Sequence, residues 1–204
     1  MGKKKFKGSV MLNPGPVVMV SLGEDKPNIF TVGWTGIVNT HPPMTYISVR
    51  PERHSYDILK ETGEFVINLV TEDLAKACDY CGVKSGRDVN KWKEMKLTKQ
   101  ESSEVRCPSI KESPLNMECV VRDCIHLGTH DMFLADIVSI NVDEDIIDDN
   151  GRIRLDKAKL VAWNHGEYFG LKKEPIGKFG YSIMKPKTRK RINREKHNRK
   201  SGRR

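Results

Sequence analysis

The stretch 28–56, NIFTVGWTGIVNTHPPMTYISVRPERHSY, holds the residues whose types and spacing can do chemistry. Thr31, Trp34 and Thr35 sit among β-branched and aromatic residues beside Gly33 and Gly36. Glycine inside a strand often marks a place where a ligand or a second backbone comes close. Further on, Ser48-Val49-Arg50-Pro51-Glu52-Arg53-His54-Ser55 ends a strand and opens a helix. Helix-start amides, a hydroxyl and guanidinium groups that converge there can hold a phosphate. Each residue also has a plainer use. Trp34 can be core, Arg50 can pair with Glu52 or Glu61 on the surface, His54 can decorate a loop, and Ser55 is an N-cap on either reading.

Other familiar arrangements are missing, which narrows the field. No Gly-x-Gly-x-x-Gly follows a strand, Gly170 to Gly177-Lys178 has the wrong spacing for a P-loop, and neither His-Glu-x-x-His nor Gly-x-Ser-x-Gly occurs. Cys78-x-x-Cys81 is a lone pair that cannot fill a tetrahedral zinc shell, and at helical spacing its thiols are expected to pack as small hydrophobes. No metal site is expected. Five cysteines are an odd number in a long chain, which disfavours a disulfide framework and suits a reducing compartment.

The elements that must position these residues follow from periodicity. Residues 17–22 read as a strand closed by a turn at 23–27, residues 29–38 as a second strand, and residues 45–49 as a third after the His41-Pro42-Pro43 loop. A short helix from Ser55 stops at Gly63, residues 65–70 form a strand, and Thr71 caps a helix running to Gly82. Residues 83–92 read as a loop, 117–125 and 132–142 as strands, and 160–163 as a last one. About seven short strands without regular strand-helix alternation argue against a parallel doubly wound sheet and for a closed or split antiparallel β-barrel.

Composition sets the outer bounds. The chain has 204 residues, of which 37% are hydrophobic and 31% charged, enough for one real core. The longest apolar stretch, around 16–22, falls far short of the roughly 20 residues that cross a bilayer. The basic start MGKKKFKGSV runs into turn residues, not the apolar middle of a secretory signal, so a cytoplasmic location is expected. The net charge of +9 resides entirely in residues 185–204, which carry 11 Lys/Arg and one Glu, leaving 25 Lys/Arg against 26 Asp/Glu in residues 1–184. With one aliphatic residue and no aromatic, this tail is expected to be disordered, a solvated charge run able to touch polyanions without sequence choice. The expected organisation is one domain, 1–184, and a tail.

Taken together, Asn28-Ile-Phe-Thr-Val-Gly-Trp-Thr-Gly-Ile-Val-Asn39, Pro42-Pro-Met44, Ser48-Val-Arg-Pro-Glu-Arg-His-Ser-Tyr56 and Gly63-Glu-Phe-Val-Ile-Asn-Leu69 resemble the flavin reductase-like FMN-binding family, particularly its flavoredoxin and ferric-reductase branch. The likeness continues through Cys81-Gly-Val-x-Ser-Gly-Arg-Asp-Val-x-Lys91, Gly128-x-His130, Leu160-Val161 and Gly166-x-Tyr168, and covers about residues 10–184. The resemblance implies a mainly β, six-stranded antiparallel split barrel with a Greek-key core, in a homodimer with FMN at the edge of the subunit interface.

By position in that family, Thr31, Trp34, Thr35 and Gly36 look like the segment along the isoalloxazine ring. Ser48, Val49, Arg50, His54 and Ser55 look like the ribityl and phosphate end. Ser85 and Lys91 fall in a loop folded toward the phosphate, and His130 falls where relatives place a residue near flavin or nicotinamide, although a histidine at a strand start is more often structural. The implied activity is an oxidoreductase that takes a hydride from NADH or NADPH and passes electrons to flavin, a ferric chelate or a protein. The alternative is an electron carrier reduced by a partner protein. No single side chain is expected to be catalytically indispensable, because hydride chemistry belongs to the flavin.

Overall fold

The computed structural model describes residues 2–172, 174–186, 188 and 191. The chain divides into two compact units, Met1–Leu171 and Lys172–Arg204, and the elements below belong to the first. The basic segment 185–204, expected to be disordered, lies outside the described residues except at 185, 186, 188 and 191.

In chain order the strands are β1 (Val18–Leu22), β2 (Asn28–Val32), β3 (Thr35–Asn39), β4 (Met44–Val49), β5 (Glu64–Leu69), β6 (Lys99–Gln100), β7 (Ser109–Ile110), β8 (Leu115–His126), β9 (Asp131–Val142), β10 (Val161–Asn164) and β11 (Glu167–Gly170). The α-helices are α1 (His54–Thr62), α2 (Ala75–Val83) and α3 (Lys91–Glu94). Seven strands form one antiparallel sheet in the order β2-β1-β5-β8-β9-β4-β3, while β6 pairs with β7 and β10 with β11.

This is the mainly β, curled antiparallel architecture that the sequence led us to expect, although the sheet has seven strands where six were expected. Residues 29–38 are not one strand. Gly33-Trp34 breaks them into β2 and β3, which occupy opposite edges of the sheet. Two linking residues span only about 10 Å even when extended, so the sheet has to curl until its edges meet. That requirement makes the half-barrel.

The apolar pattern explains which strands lie deepest. β1 is buried along its whole length. Val18, Val20 and Leu22 enter the barrel with Phe30, Val32, Ile47, Phe65 and Phe133, while Met19 packs outward with Ile29, Cys78, Cys81 and Trp92 under α2 and α3. An uninterrupted apolar run is what a strand covered on both faces needs. The helix α1 stops where expected, because Gly63 adopts φ +65 and donates its N–H to the Leu59 carbonyl. Two local expectations change. Residues 91 and 92 leave the anticipated loop to begin α3, where Trp92 is buried and donates Nε1–H to the Pro27 carbonyl. The N-cap of α1 is Arg53, not Ser55, and no side chain caps it.

Two buried polar groups hold the layers in register. The Asn68 amide, fully buried on β5, donates to the Met19 carbonyl and the Ser21 hydroxyl and accepts from the Ile110 N–H (2.9 Å) and Asn116 Nδ2 (2.7 Å). It ties β1, β5, β7 and β8 together. Lys91, also buried, donates Nζ to the carbonyls of Ile29 (2.7 Å) and Cys81 (2.8 Å), joining α3 to β2 and α2. Burial pushes its pKa down to about 8, against a smaller upward pull from Cys81. A neutral amine still has two N–H donors for those two carbonyls, so losing the proton costs neither bond.

Asn68→Ala strands the Ile110 amide and an Asn116 donor in a dry core, so urea denaturation is expected to show a loss of about 2–4 kcal/mol at unchanged m-value; a loss under about 1 kcal/mol contradicts the network. For Lys91, the folded pKa of about 8 lies below the roughly 10.4 of an unfolded lysine. Between those values the unfolded chain binds more protons, so this group's contribution to stability rises with pH. Wild type is therefore expected to gain stability relative to Lys91→Met from pH 8 to 10, and a difference that stays flat overturns the assignment.

Candidate functional site

The curl that brings β2 and β3 together leaves a cleft at their junction. The Trp34 carbonyl accepts from the Ser48 N–H at 3.0 Å, which fixes the link to β4. The cleft has a volume of about 320 Å3. Thr31 and Val32 of β2, the Gly33-Trp34 link and Ser48, Val49 and Arg50 at the end of β4 form one side. Asp79, Gly82 and Val83 of α2, Trp163 and Tyr168 of the β10-β11 hairpin, and His130 from the β8-β9 turn complete it.

Its chemistry is uneven. Trp34 is half exposed, and its ring centroid lies 4.4 Å from that of His130. Burial, with Arg50 and Arg53 nearby, holds the His130 pKa below the ordinary histidine value. At one corner the Arg53 N–H closes a turn on the Arg50 carbonyl (3.1 Å), placing two exposed arginines together. Arg53 also donates Nη1 to the Gly82 carbonyl at the end of α2 (2.8 Å), the helix end where a cation is favoured.

On the α2 wall, the Tyr168 hydroxyl reaches Asp79 at 3.4 Å, and burial with the neighbouring Cys78 and Asp79 pushes its pKa up. Behind the wall, the Thr31 hydroxyl donates to the Cys78 carbonyl. Burial raises the Cys78 thiol to about 12 and Cys81 to about 11. Both thiols pack as small hydrophobes, as their helical spacing predicts. An aromatic slot with a cationic corner has the chemistry to suit a flat conjugated ring that carries an anion.

Of the twelve residues singled out in the sequence, Thr31, Trp34, Ser48, Val49, Arg50 and His130 meet in this cleft. Thr35 and Gly36 lie just beyond it on β3. The Thr35 hydroxyl donates to the Tyr46 carbonyl (2.6 Å), and a Cβ on Gly36 would stand 3.3 Å from the Tyr46 ring. A Cβ on Gly33 would meet no protein atom within 4 Å, so no second backbone approaches it, and it lies open to the cleft.

A second group gathers at the start of α1. The Ser55 hydroxyl is buried and accepts from Asn28 Nδ2 at 2.9 Å. The loop carrying Ser85 folds against the same helix start, where a Cβ on Gly86 would collide with Asn28 and His54. The Lys91 amine is committed to two backbone carbonyls.

Sequence reasoning did not assign the cleft residues Asp79, Gly82, Trp163 and Tyr168. Tyr168 stands in the Gly166-x-Tyr168 element of the resemblance, which was the available signal. Nothing in the spacing of Asp79 or Trp163 connects either to Trp34; the β10-β11 hairpin reaches the cleft through paired bonds between Gly15 and Trp163, both 2.9 Å.

Comparison with known proteins bears on the fold. Flavoredoxin of Desulfovibrio vulgaris (Miyazaki F) superimposes with a TM-score of 0.82 at 25% identity, covering 89% of this chain and 100% of that one. Flavoredoxin from Methanosarcina acetivorans gives 0.80 at 27% identity, covering 90% and 100%. The FMN-binding protein from Thermus thermophilus shares the fold, with a TM-score of 0.71 at 19% identity over 87% and 98%. The model of the flavin reductase like domain matches residues 10–172. With most of its length matched and the curled sheet in place, the chain belongs to the flavin reductase-like family.

Proposed function

We propose that the chain is an FMN-dependent oxidoreductase that accepts a hydride from NADH or NADPH and hands electrons to a flavin, a ferric chelate or a protein. The observation that carries this reading is the meeting of Trp34 and His130 with the Arg50-Arg53 corner in one cleft. The donor set fits FMN. A phosphate near −2 is matched by two guanidinium groups that can offer charge-assisted bonds, and Ser48 lines the same cleft. Trp34, half exposed at the cleft, supplies the apolar surface for the ring. When bound, FMN supplies the capacity to take up two electrons as hydride. The protein's share is to bind and orient the ring and to keep water from one face.

A carrier reduced by a protein partner is the second reading, favoured by the likeness to two flavoredoxins. We also propose a homodimer in the cytoplasm. In support, Ile37, Val38, Val138 and Ile140 leave apolar side chains exposed on β3 and β9, of the kind that a second subunit covers.

The purified protein is expected to bind one FMN per chain with visible flavin absorbance. Arg50→Ala should weaken FMN roughly 10- to 100-fold, the value of one lost charge-assisted bond, with a smaller effect on riboflavin, which has no phosphate. Equal weakening of both ligands removes the arginine from the phosphate end, and failure to bind FMN defeats the whole reading. Anaerobic stopped-flow mixing with NADH or NADPH separates the two activities. Rapid flavin bleaching is expected of the oxidoreductase, and persistent colour assigns the carrier role.

A further inference from the structure

The tip of the β8-β9 hairpin gathers three ligand types that the flavin reading leaves unused. Cys124 and His126 stand two apart on β8, so strand alternation puts both on one face, and Asp131 lies directly across from His126 in the antiparallel register. The Cys124 Sγ, the His126 ring nitrogen and an Asp131 carboxylate oxygen all lie within 4.8 Å of one another. The closest pair, His126 Nδ1 and Asp131 Oδ2, is at 2.9 Å. Donors held at 2.0–2.3 Å by a tetrahedral ion stand about 3.3–3.8 Å apart, within the 4.8 Å that already encloses all three atoms.

We propose that Cys124, His126 and Asp131 bind a borderline-soft divalent cation of the zinc type. Thiolate, imidazole and carboxylate are the three ligand classes that zinc takes together, and their summed charge of −2 matches the ion. Three protein ligands leave a fourth position for water. The site is built and not merely adjacent: Asp131 is 4% exposed, and its carboxylate is oriented by the Tyr56 hydroxyl of α1 (2.5 Å), the outer hydrogen bond that ligating carboxylates characteristically receive. His126 is exposed and Cys124 half-buried, which leaves an entry path. Lys60, with Nζ 5.9 Å from the Tyr56 ring centroid, opposes a cation, while Asp57 and Asp123 flank the site with the favourable sign. The other four cysteines are buried. The inference needs neither FMN nor the arginine corner.

Cobalt titration of the untagged full chain tests it, because a cobalt-thiolate bond produces a charge-transfer absorption that oxygen and nitrogen ligands do not. One equivalent of Co2+ is expected to bind with that band and to be displaced by Zn2+. Cys124→Ser should abolish the band, His126→Gln should weaken binding at least tenfold, and Tyr56→Phe should weaken it about 10- to 100-fold as loss of an outer partner does. His126 lies on the surface, so its variant keeps the fold, and FMN binding monitored alongside reads the flavin proposal separately. A wild-type titration without the thiolate band, or a band that survives Cys124→Ser, overturns the site.

Discussion

The two-residue link Gly33-Trp34 is the constraint from which the rest of the molecule takes its shape. It joins strands at opposite edges of a seven-stranded sheet, and so short a tether can be satisfied only if the sheet closes on itself. Closure puts Trp34 at the seam, where its carbonyl takes the Ser48 amide and its ring faces His130. Ladder pairing lapses at that point, which is why a cleft opens there and not in the middle of the sheet. The site is a consequence of topology before it is a set of side chains.

Cations near the cleft serve that topology as well as any ligand. The last carbonyls of an α-helix have no intrahelical partner. At the end of α2 the carbonyls of Cys81 and Gly82 are met by Lys91 and Arg53 respectively. One charge is buried and reaches also to β2; the other is exposed at the mouth of the cleft. The buried one braces the wall through two of its donors. Arg53 spends one nitrogen on Gly82 and has further guanidinium donors, so it can brace α2 and still face an anion.

Sequence made most of the frame legible because alternation, turn residues and Gly63 all agree with the final elements. It missed the break within residues 29–38, since β-branched and aromatic residues run through Gly33-Trp34 without a change of period. Only the pairing of β3 with β4 and of β2 with β1 reveals the switch of edges. The strand-to-helix motif correctly located the arginine corner, yet Ser55 proved to be inside the helix with its hydroxyl turned to Asn28. Capping preference is judged from one position, and the first turn was decided by a partner 27 residues away. Asp79 and Trp163 join the cleft through long-range packing, which leaves no local trace.

His130 and Asp131 show how one hairpin can serve two environments. They are neighbours at the start of β9, and neighbouring strand residues point to opposite faces. His130 therefore meets Trp34 in the cleft, while Asp131 turns to Tyr56 and His126. The intervening turn is short and closed by a Leu127 to His130 backbone bond of 3.1 Å. Alternation at this closely tied tip therefore divides the labour of two adjacent residues, His130 lining the cleft and Asp131 facing the Tyr56 side.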